Sequence, residues 1–122
     1  MDNPAQTQKR TGEELAELAA LLKILAEPNR LLLLERIMAG VQCNCDLGNA
    51  LSLAPNLVSH HLSVLCDSGL VDARRSEDDG RWIFYSINES KLKALNELLA
   101  GFFDVSRIQS GSTCCGKKLT GE

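Results

Sequence analysis

The sequence lacks several features that would decide its class at once. No apolar run approaches the ~20 residues needed to cross a bilayer, so no membrane association is expected. The opening stretch MDNPAQTQKR has no apolar segment after its charges; no secretory leader is visible and a cytoplasmic setting is expected. Positive charge is not in surplus. Thirteen Lys and Arg stand against sixteen Asp and Glu, a net charge of −3, which argues against a general polyanion binder but not against a small, locally charged DNA-reading surface. There is no internal repeat. No Cys-x-x-Cys occurs, and no cysteine sits in a strand–helix nucleophile loop, so a small thiol oxidoreductase is the weakest reading of the five cysteines.

What is present fits one domain of 122 residues, with an ordinary hydrophobic share of 44%. Residues 1–12 are polar and read as a flexible N-terminal arm. Thr11, with Glu14 three residues on, forms a capping-box pattern for a helix carrying Leu15, Leu18, Leu22 and Leu25 at helical spacing. Pro28 can open a second helix that stops at Gly40, and the leucines at 31 to 34 predict that it is central and buried. A short helix follows from about Cys45 to Leu51, with Asn44 as its expected N-cap. After the turn SLAPN, Pro55 opens another helix to about Ser68, with Val58, Leu62 and Leu65 as its apolar face and Gly69 as its stop. Two helices joined by so short a turn are the pattern of a helix-turn-helix.

Two strand-like segments, LVDARR and RWIFYSI, flank SEDDG, a hairpin loop in which Gly80 is available for positive φ. A last amphipathic helix uses Leu92, Leu95, Leu98, Leu99 and Phe102. The Gly/Ser/Thr-rich remainder, 107–122, reads as a mobile C-terminal tail carrying Cys114 and Cys115. The expected fold is therefore mainly α with a β-hairpin, a winged helix-turn-helix over residues 13–106.

The segments LAEPNRLLLLERIMAG, CNCDLGNALSLAPNLVSHHLSVLCDSGLV and DGRWIFYSI resemble the ArsR/SmtB family of bacterial metal-sensing repressors, over roughly residues 15–103. The resemblance implies a DNA-binding repressor that is a homodimer, paired through its first and last helices. It also implies release from operator DNA when ligand binds.

A recognition helix presents the N-terminal residues of its exposed face to the major groove. Here those are Asn56, Ser59, His60 and Ser63, with His61 near the edge of the buried face; Arg74, Arg75 and Arg81 flank the hairpin and are placed to contact phosphate. The acidic tip Glu77-Asp78-Asp79 must then point away from the DNA. His60 and His61 project roughly 100° apart on a helix and make poor partners for one ion, which favours DNA contact and helix packing for them. An operator for such a dimer is expected to be palindromic double-stranded DNA.

Cys43 and Cys45 could be two small buried residues. Inside a helix they would point about 200° apart, but just before one a turn can bring both to one side, where the helix N-terminus favours the thiolate. The resemblance adds that arsenic-responsive members of the family carry Cys-x-Cys-Asp-Leu-Cys here and bind trivalent arsenic through its thiolates. Cys43, Cys45, Asp46 and Leu47 match; Gly48 stands where the third thiol would be. Trivalent arsenic, like antimony, favours three thiolates. Cys66, on the apolar face of its helix, is expected in the core, so Cys114 or Cys115 is the expected third ligand. The alternatives are a repressor of the same fold that senses cadmium, lead or zinc, and a thiol redox sensor that joins Cys43 or Cys45 to the tail. The last helix lacks the Asp/His pattern of zinc-responsive relatives.

Overall fold

Thr11 and Glu14 cap the first helix reciprocally. The Thr11 hydroxyl accepts from the Glu14 amide at 3.1 Å, and the Glu14 carboxylate accepts from the Thr11 amide at 3.0 Å. This capping box, expected from the sequence, starts α1 (Gly12–Leu25) inside the stretch read as an arm. The computed structural model describes residues 10–40 and 42–109. Cys114, Cys115, the remainder of the tail and residues 1–9 of the arm lie outside the described residues.

Pro28 occupies the first turn of α2 (Pro28–Met38), and the Glu27 carboxylate accepts from the amides of Asn29 and Arg30 at 2.8 and 3.3 Å. Leu33, Leu34 and Ile37 are buried, but Leu31 is 49% exposed, so α2 is not apolar all round. Consecutive helical residues turn by roughly 100°, and four adjacent leucines cannot share one face.

A two-residue strand that the sequence reading missed, β1 (Gln42–Cys43), precedes α3 (Asn44–Ala50). Asn44 is not the N-cap. Cys43 holds that position in extended conformation, with no side-chain cap hydrogen bond, because its backbone is committed to the sheet. Residues 51–54 turn into α4 (Pro55–Asp67), which buries Val58, Leu62 and Leu65 as its spacing predicts. Gly69 ends α4 at φ 89°, a conformation that side chains with a Cβ seldom adopt.

β2 (Val71–Arg75) and β3 (Ile83–Ile87) form the hairpin, antiparallel from Val71 opposite Ile87 to Arg75 opposite Ile83. β1 pairs with the other edge of β3, giving a three-stranded sheet in the order β1-β3-β2. The hairpin loop turns without a positive φ at Gly80. Instead the Ser76 hydroxyl accepts from the amides of Asp78 and Asp79 at 3.2 and 3.3 Å, and the Arg75 guanidinium donates to the Gly80 carbonyl. Asn88 caps α5 (Glu89–Phe102), accepting from the Lys91 amide at 3.2 Å, and a 3₁₀ turn, Val105–Arg107, follows.

Leu33 and Ile37 of α2, Leu47 of α3, Leu65 of α4, and Leu70 and Val71 entering β2 are almost fully buried together; Tyr85 and Leu95 close the cluster from β3 and α5. The core thus lies where helix-turn-helix and wing meet, and holds them as one winged helix-turn-helix. Among the described residues, the exposed large apolar side chains include Leu15 and Leu22 on α1, and Phe103, Val105 and Ile108 after α5. No described helix is long and apolar enough to cross a membrane.

Candidate functional site

The DNA-facing candidates divide by burial. Asn56, Ser59, His60 and Ser63 all lie exposed on α4, on the side opposite Val58, Leu62 and Leu65. His61 is the exception. It is 8% exposed, its Nδ1 accepts from Arg30 Nε at 3.2 Å, and its Nε2 lies 3.8 Å from the Glu27 carboxylate. The ring is thus packed against α2 and its cap and leaves little surface exposed beside the DNA-facing candidates.

The wing arginines are exposed but unequal. Arg74 is exposed on β2. Arg75 is tied to the Gly80 carbonyl. Arg81 grips the Asp79 carboxylate, with Nη2 at 2.8 Å and Nε at 3.1 and 3.3 Å. These hydrogen bonds hold the Asp79 carboxyl below its ordinary range and raise the Arg81 guanidinium. The acidic tip therefore spends one carboxylate on its own arginine, which weakens the contribution of Arg81 to any phosphate contact.

The thiols meet as the helix-start position requires. β1 holds Cys43 extended against Phe84, α3 begins at Asn44, and the Sγ atoms of Cys43 and Cys45 come to 3.1 Å. Cys43 is half-buried and Cys45 exposed. One oxygen of Asp46, 3.9 Å from the Cys45 sulfur, completes a group whose donor atoms lie within 4.8 Å of one another. Asp46 was read only as part of the family motif, not as a donor; its place in the first helical turn, next to the second cysteine, was the available signal. The neighbouring Cys43 thiol is the main reason the Cys45 thiol is pushed up, with slight desolvation and the Asp46 charge adding to it. Two soft sulfurs and one carboxylate suit a thiophilic ion far better than calcium or magnesium.

Cys66 does not join this group. It is half-buried, not fully in the core as expected, and lines a cleft of about 360 Å³ between α4 and the wing with Arg75 and Tyr85. Burial, then the charges of Asp67 and Asp72, push its thiol up.

Known proteins resemble this chain. Residues 27–73 match the family model described as bacterial regulatory protein, arsR family. The arsenical resistance operon repressor of Staphylococcus xylosus is 30% identical over 106 residues, 87% of this chain and 95% of that one. The cadmium resistance transcriptional regulatory protein CadC of Listeria innocua is 31% identical over 95 residues, 77% of each chain. Among solved structures, one titled as a possible transcriptional regulator for arsenical resistance superposes with a TM-score of 0.62 at 30% identity, covering 70% of this chain and 86% of the other. With the winged helix-turn-helix and an identity that extends over nearly the whole length of such a relative, this chain belongs to the arsR family of bacterial regulatory proteins.

Proposed function

We propose that the protein is a transcriptional repressor that leaves its operator when trivalent arsenic binds Cys43, Cys45 and a third thiolate from Cys114 or Cys115. The observation that carries this reading is the approach of the Cys43 and Cys45 sulfurs to 3.1 Å at the start of α3. The name of the Staphylococcus xylosus relative supports the choice of ion. The chemistry is ligand exchange without redox: neutral As(OH)₃ loses three hydroxyls as water, each thiol supplying the proton, and gains three As–S bonds. Antimony can follow the same course.

In this reading Asn56, Ser59, His60 and Ser63 face the major groove while Arg74 and Arg75 contact phosphate, with Arg81 in a lesser role. The exposed stripes on α1 and after α5 pair across a two-fold axis, so the unit is a homodimer on a palindromic operator, acting in the cytoplasm without catalytic turnover. Because α3 supports α4, drawing the two sulfurs onto one ion shifts the energy of the DNA-competent geometry, and coupling requires such a difference. A second reading, cadmium sensing, rests on the Asp46 oxygen beside the sulfurs and on the resemblance to CadC.

The deciding experiment is release of labelled operator DNA titrated in parallel with arsenite, antimonite, cadmium, zinc and peroxide. Arsenite should release it at the lowest concentration. Cys43→Ser and Cys45→Ser should abolish release while operator binding survives. A chain truncated after Gly111 that still responds at the same arsenite concentration refutes the tail ligand.

A further inference from the structure

Asn44 stands between the two thiols, and its side chain leaves the helix. Its Nδ2 donates to the carbonyl oxygen of Arg81 at 3.1 Å, a contact between residues 37 apart in sequence. Its Oδ1 is buried without a hydrogen-bond partner among the described residues. The neighbouring backbone reaches the same part of the wing, because Cys43 pairs opposite Phe84 in β3. The segment from Arg81 to Phe84 is thus held from one side by two consecutive residues of the thiol cluster. From the other side Arg81 is clamped to Asp79 at the wing tip. An amide oxygen buried without a partner is costly to hold, so the half-buried Asn44 side chain shifts readily when its support moves.

We propose that Asn44 is the positioning residue that carries ion binding at Cys43 and Cys45 to the DNA-contacting wing. This rests on the thiol-site reading above and goes beyond it by naming the connection. An ion held by both Cys43 and Cys45 resets the spacing and direction of sulfurs that stand 3.1 Å apart without it, and so turns the residue between them. The Asn44 amide then slides along or leaves the Arg81 carbonyl, and the hairpin loop loses the side-chain hydrogen bond that ties it to α3. The bound and free states therefore differ in the position of Arg81 and of the adjoining loop 76–82, not only in α3. Without the Asn44–Arg81 hydrogen bond the loop already stands as ion binding would leave it, so a variant lacking the bond should weaken operator binding before arsenite and shrink the further loss on adding it.

The test uses the full chain with Asn44→Leu, which removes the donor together with the orphaned acceptor at similar size, and Asn44→Ala as a second variant; circular dichroism verifies that each is folded. Arsenite binding is followed directly by the ultraviolet absorption of arsenic–thiolate bonds, and operator affinity is measured with and without arsenite. Both variants should still bind arsenite, but should bind bare operator about three- to tenfold more weakly than the unaltered chain, because the loop lacks its tie to Asn44 before arsenite arrives. The loss of operator affinity on adding arsenite should shrink by about three- to tenfold, as expected for one hydrogen bond's share of a coupling. Hydrogen exchange supplies a readout independent of DNA: arsenite should accelerate exchange of amides in 76–84 of the unaltered chain and leave the variants unchanged. Full coupling in both variants, with exchange in the wing still responding, overturns the role of Asn44 and leaves the thiol site standing. Absence of arsenite binding in the unaltered chain overturns the thiol site and this proposal with it.

Discussion

Arg30 donates its Nε hydrogen to Nδ1 of His61 at 3.2 Å, while Arg30 Nη1 donates to the Ile24 carbonyl at 3.1 Å. One guanidinium thus binds α1, α2 and the recognition helix together. His61→Ala should destabilise the fold by about 1–2 kcal/mol, because Arg30 loses its acceptor and α4 a packed ring. His60→Ala, on the exposed face, should stay within about 0.5 kcal/mol of the unaltered protein. Operator affinity should show the reverse order once corrected for folded fraction. Denaturant unfolding and gel-shift titration on the two variants check both halves; equal loss of operator affinity would return His61 to the DNA surface.

Arg81 and Asp79 make the wing less cationic than its sequence suggests. Asp79→Asn should free the guanidinium, raise operator affinity at low salt, and steepen the logarithmic salt dependence by about one phosphate contact per subunit. The carboxyl is held below its ordinary range by Arg81, so the pair is intact above that range and is lost only as pH falls through the lowered value. Acidification from pH 7 to 5 should therefore not mimic the substitution. A salt slope identical in both proteins would place Arg81 away from the phosphates altogether.

The uncovered side chains Leu15 and Leu22 on α1, with Phe103, Val105 and Ile108 beyond α5, set a third expectation. Sedimentation or light scattering at micromolar concentration should give twice the 13.3 kDa chain mass. Replacing Leu15 and Leu22 by Glu should shift the equilibrium to monomer by placing like charges across the seam. The same variant should bind a single half-site no worse than before, while losing the advantage of the full palindrome. A monomer in the unaltered protein would remove the two-fold operator from the account.

Local signals in the sequence led to the right helices. The Thr11–Glu14 box, the prolines at the starts of α2 and α4, and the stops at Gly40 and Gly69 are each decided within a turn of chain, and each is present. What the sequence could not show was non-local. β1 is two residues long, too short for any alternation, and exists only because β3, about forty residues later, offers it an edge. Without that strand Asn44 looked like a cap and Cys43 like a residue in a loose turn. The exposed face of α4 was legible except at His61, where a position near the edge of a helical stripe leaves burial to be decided by Arg30 and Glu27 from another element. The thiol pair was legible as chemistry, and its closeness follows from β1 holding Cys43 extended. Gly80 was assigned a turn that Ser76 makes instead.

The choice between arsenic and a divalent ion can be made by proton counting. The Cys45 thiol is pushed up, chiefly by the Cys43 thiol beside it, so at neutral pH it carries its proton. Arsenite arrives as As(OH)₃, and each thiol proton leaves with a hydroxyl as water; no net proton is released. Cadmium arrives as a bare divalent cation, and every thiol it binds must release a proton to solvent. Between pH 6 and 8 the arsenite affinity should therefore stay nearly flat, whereas the cadmium affinity should rise with pH as thiol protons are released. Cys45→Ser should lower the cadmium slope by about one decade per pH unit, because the Cys45 thiol proton is no longer there to be released. Calorimetry in buffers of different ionisation enthalpy counts the released protons directly, and operator release across the same pH range shows which of the two ions the repressor answers. Release by arsenite that climbs as steeply as that by cadmium would mean the arsenic is not exchanging hydroxyl for thiol at this pair, and the assignment of Cys43 and Cys45 as its ligands would fall.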